Sequence, residues 1–235
     1  QGPKSLKLLD DLLDTPLKGN FKYFDWEEVS IASEKVIISR TGFTNELGWE
    51  IYLRPENNAK KIGDLILEKG KRMGMMLTAS PGFRGRRIEA GLLSAGRDFT
   101  KDRTPFSVGL GKFIDFDKGD FIGRDHLLKA NKDCLTWGLR VKDSYALVDS
   151  DLSINNNKVG KVTSSTWSPY QVCGVSIVHM KNNSFGPGTL VDVLCEDGNI
   201  HKGEICNLPM YDSKGNIPRG LIEDVPTCPS PWLGI

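Results

Sequence analysis

The 235-residue chain is short of the features that mark several large protein classes. Its five cysteines, Cys134, Cys173, Cys195, Cys206 and Cys228, form no CxxC pair, have no histidine partner at ligand spacing and are odd in number. Neither a disulfide framework nor a zinc site is therefore indicated, and the expected compartment is reducing and cytoplasmic. The three histidines, His126, His179 and His201, stand far apart and read as packing or surface residues rather than a catalytic base. No apolar stretch approaches the roughly 18–20 residues of a membrane span, and the first residues lack a charged-then-apolar signal pattern. Thirty-one basic against thirty acidic residues give a net charge of +1, so neither nucleic acid nor an anionic membrane is an expected partner. No Gly-x-Ser-x-Gly nucleophile motif occurs, and Gly109-Leu-Gly111 lacks the third glycine of a dinucleotide loop. No internal repeat is visible.

What remains is an ordinary globular composition, 39% hydrophobic and 26% charged, at a length that suits two domains. Leucines at 6, 8, 9, 12, 13 and 17 have helical spacing. Val29 to Ser39 and Trp49 to Leu53 read as two strands joined by the Gly42 to Gly48 loop. Ile62, Leu65, Ile66 and Met73 then form one face of a helix closed by Gly74, and a second helix is expected over 82–95. Ile88, Leu92 and Ala95 would be its buried stripe, with Arg87 and Glu89 pointing away from it. A short helix is expected over 123–132. After Asp133 the character changes to short strands separated by Gly, Pro and Asn turns, including a hairpin turn at Asn155-Asn-Asn-Lys158, which argues for a small antiparallel barrel or sandwich. These readings divide the chain into an α+β region over 1–133, a β region over 134–224 and an irregular Pro-rich tail over 225–235.

Two clusters could carry chemistry. Glu50 lies on the polar phase of its strand, between Trp49 and Ile51, so it either faces solvent or lines a cavity. Phe43 and Trp49 nearby supply flat apolar surface, and an aromatic wall with one carboxylate suits a planar heterocycle bearing N–H donors. Arg84, Arg86 and Arg87 gather with Glu89 on a helix, either as a fork for a carboxylate or phosphate or as a surface ion-pair array. Thr163-Ser-Ser-Thr-Trp-Ser-Pro-Tyr170 reads as a hydroxyl-rich loop, a lid or an ordinary connection.

Taken in order, Gln1-Gly-Pro-Lys4, Arg40-Thr-Gly-Phe-Thr-Asn-Glu-Leu-Gly-Trp-Glu-Ile51, Arg87-Ile-Glu-Ala-Gly91, Thr104-Pro-Phe-Ser-Val-Gly-Leu-Gly111, Asp117-Lys-Gly-Asp-Phe-Ile-Gly-Arg124, Gly160-Lys-Val-Thr-Ser164, Ser168-Pro169 and Pro209-Met-Tyr-Asp212 resemble the aminomethyltransferase family over nearly the whole chain. That family includes the T-protein of the glycine cleavage system, the folate domains of dimethylglycine and sarcosine dehydrogenases, and dimethylsulfoniopropionate demethylase. The resemblance implies an open α+β sheet domain followed by a small antiparallel β-barrel, within a three-domain ring around tetrahydrofolate. It implies a folate-dependent transfer of an aminomethyl or methyl group from a small-molecule one-carbon donor, with a lipoyl carrier protein as a further partner. By the same resemblance Glu50 holds the pteridine ring, Phe43 stands where the family often has tyrosine, Arg87 lies near substrate and folate, and Arg219 reaches back toward the ligand. Trp49 joins them as a cofactor-binding aromatic. In the family Gln-Gly-Pro lies well inside the chain and the aspartate that steers the one-carbon group precedes it. The expectation is thus a truncated chain without that catalytic aspartate, inactive alone and prone to self-association. A folate-binding accessory or regulatory protein without transferase activity is the alternative.

Overall fold

A computed structural model describes residues 1–17 and 21–222, so the tail expected at 225–235 lies outside the described residues. The chain folds as two compact units. Among the described residues, 1–86 with 212–222 make the first and 87–211 the second. The combination expected, an α+β sheet region and a closed antiparallel barrel, is what forms.

The first unit is built on a three-stranded antiparallel sheet in the order β1 (Trp26–Ile31), β2 (Glu34–Ser39), β3 (Glu50–Tyr52). Residues 29–39 are therefore not one strand but the core of a hairpin, folded at Ala32 and Ser33, which both adopt left-handed backbone at φ 54° and 65°. Left-handed backbone at both central positions matches the right-handed twist of a two-residue hairpin, a geometry ordinarily signalled by Asn-Gly. Here outside contacts hold it: Asp14 accepts the Ser33 N–H at 2.7 Å and Lys61 donates to the Ala32 carbonyl at 2.5 Å. One face of the sheet, Ile31, Val36 and Ile38, is fully buried against Leu9 and Leu12 of α1 (Ser5–Leu12) and Ile62 of α2 (Ala59–Arg72). Asn58 caps α2 by accepting the Lys61 N–H at 3.0 Å.

Helix α3 (Ser80–Glu89) stops six residues short of the expected end. Gly91 adopts φ 69°, its N–H bonds to the Ile88 carbonyl and the Leu92 N–H to the Arg87 carbonyl, the paired bonds of a Schellman cap that only glycine enters without strain. Ile88 is buried as expected, but Arg87 and Glu89 are buried too, at 7% and 1% exposure, which overturns the outward direction read from the sequence. Their charges are kept inside by partners described below. Helix α4 (Arg124–Lys129) is shorter than the segment expected for it.

Six strands, β4 (Thr136–Val141), β5 (Asp151–Ile154), β6 (Asn157–Ser168), β7 (Cys173–Met180), β8 (Leu190–Leu194) and β9 (Ile200–Cys206), close into a barrel in the order β4-β7-β6-β5-β8-β9. The Asn155-Asn156 turn forms as read, with both residues left-handed at φ 50° and 61°. Strand β6 continues through the segment read as a loop, pairing Thr166 with Val175 and Trp167 with Gly174. Its run of hydroxyl side chains hid the strand, because four of them satisfy partners inside the unit rather than water. The barrel interior is aliphatic, with Leu139, Val141, Leu152, Val162, Val178, Met180 and Ile205 all fully buried.

His179, on β7, is buried beside Arg103 and Thr136. Thr136 donates its proton to the Ser107 carbonyl (3.0 Å), so it accepts from Nδ1 of His179 (3.1 Å), and Arg103 donates to Nε2. Burial and then the Arg103 charge push this imidazole down from 6.5 to about 4. The folded chain therefore holds His179 neutral over a range in which the unfolded chain protonates it, and its contribution to stability is complete above pH 6.5 and lost as pH falls toward about 4. His179→Gln should flatten the fall in melting temperature between those pH values relative to the parent, measured by calorimetry at matched ionic strength. Replacing the turn with Ala32→Asn and Ser33→Gly should relieve left-handed strain and raise the unfolding free energy by about 1 kcal/mol in urea titrations.

Candidate functional site

The outer face of the first unit's sheet carries the predicted carboxylate. Glu50 opens β3 opposite Ser39, and Ser39 lies opposite Trp26, so these three share a row across the sheet. The alternation of strand side chains then puts Tyr52 on the same face as Glu50, while Ile51 opposite Ile38 turns to the core. Glu50 is half-buried, and its interactions converge on one oxygen: Thr41 Oγ1 and Tyr52 Oη (3.0 Å) both donate to Oε2. Ser39 Oγ is 2.9 Å from Thr41 Oγ1 and donates to it, since the Thr41 proton is directed at the carboxylate. The Glu50 charge raises the Tyr52 phenol above its ordinary range, chiefly through this hydrogen bond. No partner within the described residues engages Oε1.

The loop between β2 and β3 is shaped by close packing on Gln1. A Cβ at Gly42 or Gly48 would overlap the Gln1 side chain, which accepts from Thr44 Oγ1 at 2.9 Å. The Leu47 carbonyl accepts from the Gly2 N–H (2.7 Å) and from Ser5 Oγ (2.9 Å). A side chain at either position would have to displace the amide end of Gln1 and its bond from Thr44.

The other expected site residues fall as follows. Phe43, in the same loop, leaves 45% of its surface exposed. Trp49 packs on the unit's apolar core, with its ring 5.4 Å from Phe21 and the Arg40 guanidinium 5.9 Å from its centroid. Arg219 is exposed, and its carbonyl accepts from Arg40 Nη2 at 2.6 Å. Tyr23, which the sequence did not single out, lies within electrostatic range of both Arg219 and Glu50. Burial raises its phenol, Arg219 lowers it and Glu50 raises it, in that order of effect. Tyr23 thus senses the charges of both Arg219 and Glu50. A cavity of about 540 Å³ also opens in this unit, walled by Lys4, Lys7, Asp10, Arg40, Glu46 and Ile217 among others, and Glu50, Phe43 and Trp49 are not in its wall. Thr41 and Tyr52 were also missed; the signal available was the two-residue spacing from Glu50 to Tyr52 on a strand.

Arg86 and Arg87 are neighbours in sequence with separate partners. Arg86 pairs with Glu46 in the first unit. Arg87, in the second, is buried: Nη1 donates to Asp98 Oδ2 (2.8 Å) and to the Leu92 carbonyl (3.0 Å), and Nη2 donates to Ser164 Oγ (2.7 Å). A bulge in β6 at Thr163 breaks the strand alternation, so that Thr163 and Ser164 both donate to Asp98 Oδ1, at 2.7 and 2.6 Å. Ser168 similarly donates to the buried Glu89.

The family model described as the GCVT N-terminal domain matches residues 1–118. An aminomethyltransferase of Caldanaerobacter subterraneus subsp. tengcongensis is 37% identical over 174 residues, covering 72% of this chain and 46% of that protein. One from Halothermothrix orenii is 31% identical over 219 residues, covering 89% and 59%. Among solved structures, the glycine cleavage system aminomethyltransferase T from Bartonella henselae superposes with a TM-score of 0.74 at 24% identity, over 88% of this chain and 56% of that one, a likeness of fold. The chain belongs to the aminomethyltransferase family. It spans about half the length of the curated relatives it matches.

Breaking a buried, hydrogen-bonded ion pair strands the surviving charge. Asp98→Ala should therefore lower the unfolding free energy by about 3–5 kcal/mol, and adding Arg87→Met should recover part of that loss, as read from guanidinium denaturation.

Proposed function

We propose that this chain contributes the pteridine-holding part of a tetrahydrofolate-dependent one-carbon transferase, acting on an aminomethyl or methyl donor in a reducing, cytoplasmic compartment. The single observation that carries the reading is the Glu50 carboxylate, fixed through Oε2 by two hydroxyl donors, with no partner among the described residues on Oε1. Family membership supports the reaction class.

The residues present suit the ligand. A pteridine offers adjacent ring N–H and exocyclic NH₂ donors, which an oriented carboxylate accepts, and its flat ring suits the open surface of Phe43. When bound, the reduced folate supplies a nucleophilic ring nitrogen that receives the one-carbon unit. The chain's own part is positioning: Glu50 anchors the ring, Phe43 covers a face, and Arg219 places positive charge near Tyr23, suited to an anionic part of the ligand. Phe43 lacks the hydroxyl of the family's tyrosine, so it contributes area and no hydrogen bond. Arg87 enters the proposal on the resemblance alone, as a charge fixed by Asp98 rather than a mobile fork. Trp49 supports the loop from beneath while its ring is engaged by Phe21 and Arg40. The one-carbon donor and a lipoyl carrier protein are the proposed partners.

Glu50→Ala removes a charged acceptor worth about 1.5–3 kcal/mol, so tetrahydrofolate should bind roughly ten- to a hundredfold more weakly in calorimetric titration. Equal affinities for parent and variant would take Glu50 out of the site and end this reading.

A further inference from the structure

We infer that Thr41 and Tyr52 are positioning residues for the Glu50 carboxylate, acting as a two-donor clamp on Oε2 that leaves Oε1 as the ligand's acceptor; this rests on the folate reading of Glu50 given above.

The inference starts from strand geometry. Glu50 and Tyr52 are two residues apart on β3 and share a face, and Thr41 continues past the end of β2 from Ser39, the residue opposite Glu50. Two hydroxyls thus meet the carboxylate and a third backs one of them, with ordered proton directions: Ser39 to Thr41, Thr41 to Oε2, Tyr52 to Oε2. A glutamate side chain has three rotatable bonds, and free rotation would spread the acceptor over many positions. Two donors on one oxygen remove that freedom and fix which oxygen points outward. Thr41 is itself held by Ser39, whose side chain is largely buried in the strand row, so the clamp is anchored to the sheet rather than to solvent. Tyr52 is 51% exposed, which makes its hydroxyl removable without disturbing a core.

A clamp that acts through Glu50 has no effect once Glu50 can no longer serve the ligand, whereas residues that merely stabilise the sheet act in either background. The experiment measures tetrahydrofolate affinity for the 235-residue chain by calorimetry, with Thr41→Val, Tyr52→Phe, both together, Thr41→Ser, and the same changes combined with Glu50→Gln. The expected result is a loss of about three- to tenfold for each hydroxyl removed, retention within about twofold for Thr41→Ser, and changes under about twofold in the Glu50→Gln background. Parent-like affinity in Thr41→Val/Tyr52→Phe, with Glu50→Gln still weakened, overturns the clamp and leaves the folate reading standing. An equal loss in both backgrounds overturns it as well, by assigning the hydroxyls a structural role. A second readout needs no ligand: in NMR of chain labelled at the tyrosine Cζ, Tyr52 should titrate above an ordinary phenol in the parent and fall back in Glu50→Gln. An unchanged Tyr52 titration refutes the coupling even if the folate reading itself fails, and even if Thr41→Val does not fold.

Discussion

The site depends on the register between β2 and β3. Pairing Ser39 with Glu50 and Ile38 with Ile51 puts Ile38 and Ile51 on the core and Ser39, Glu50 and Tyr52 on the outer face. A slip of one residue would bury the carboxylate among Ile31, Val36 and Ile62 and expose Ile51, a cost of several kcal/mol for an unpaired charge in an apolar site. Register is thus enforced by the core, and the position of Glu50 is a by-product of where isoleucine must go. The loop joining the strands is held from the other side, by Gln1 seated against Gly42 and Gly48 and by the Leu47 carbonyl bonded to Gly2 and Ser5. Sheet and loop together leave the carboxylate little choice of direction.

The second unit treats charge differently. Arg87, Asp98 and Glu89 are buried, and each is met by hydroxyls of β6. Such a pair gives modest net stability but is expensive to break, so it favours one arrangement of the α3 end against the barrel strand over alternatives. The bulge at Thr163 has a defined part in this, aiming two consecutive hydroxyls at one oxygen of Asp98. The same functional group therefore does two jobs in this chain: a carboxylate with one oxygen unengaged among the described residues at Glu50, and a carboxylate closed on all sides at Asp98.

Much of the architecture was legible in the sequence, and the failures have physical causes. The Asn155-Asn156 turn was readable because asparagine tolerates left-handed backbone; the equivalent turn at Ala32-Ser33 was not, because its conformation is maintained by Asp14 and Lys61 from outside the hairpin. Strand β6 runs further than its composition suggests because Thr163, Ser164, Ser165 and Ser168 look solvated in sequence but bond to Asp98, Ser176 and Glu89 in the fold. Helical periodicity points Arg87 outward because it carries no information on a buried partner eleven residues away. For the site, strand phase alone gave the face of Glu50. The role given to it came from family resemblance, and the hydroxyls that hold it required coordinates, since Thr41 and Glu50 meet only through the folded loop.

The central claim is that Glu50 alone among the acidic groups of this sheet face meets the pteridine. The most direct measurement is a carbon-detected NMR titration of the side-chain carboxyl resonances with tetrahydrofolate. The account predicts a saturable shift of the Glu50 Cδ resonance, with Glu28, on the same face but paired to Arg54, and the buried Glu89 unmoved. A Glu50 resonance that stays in place while others shift on saturation would contradict it.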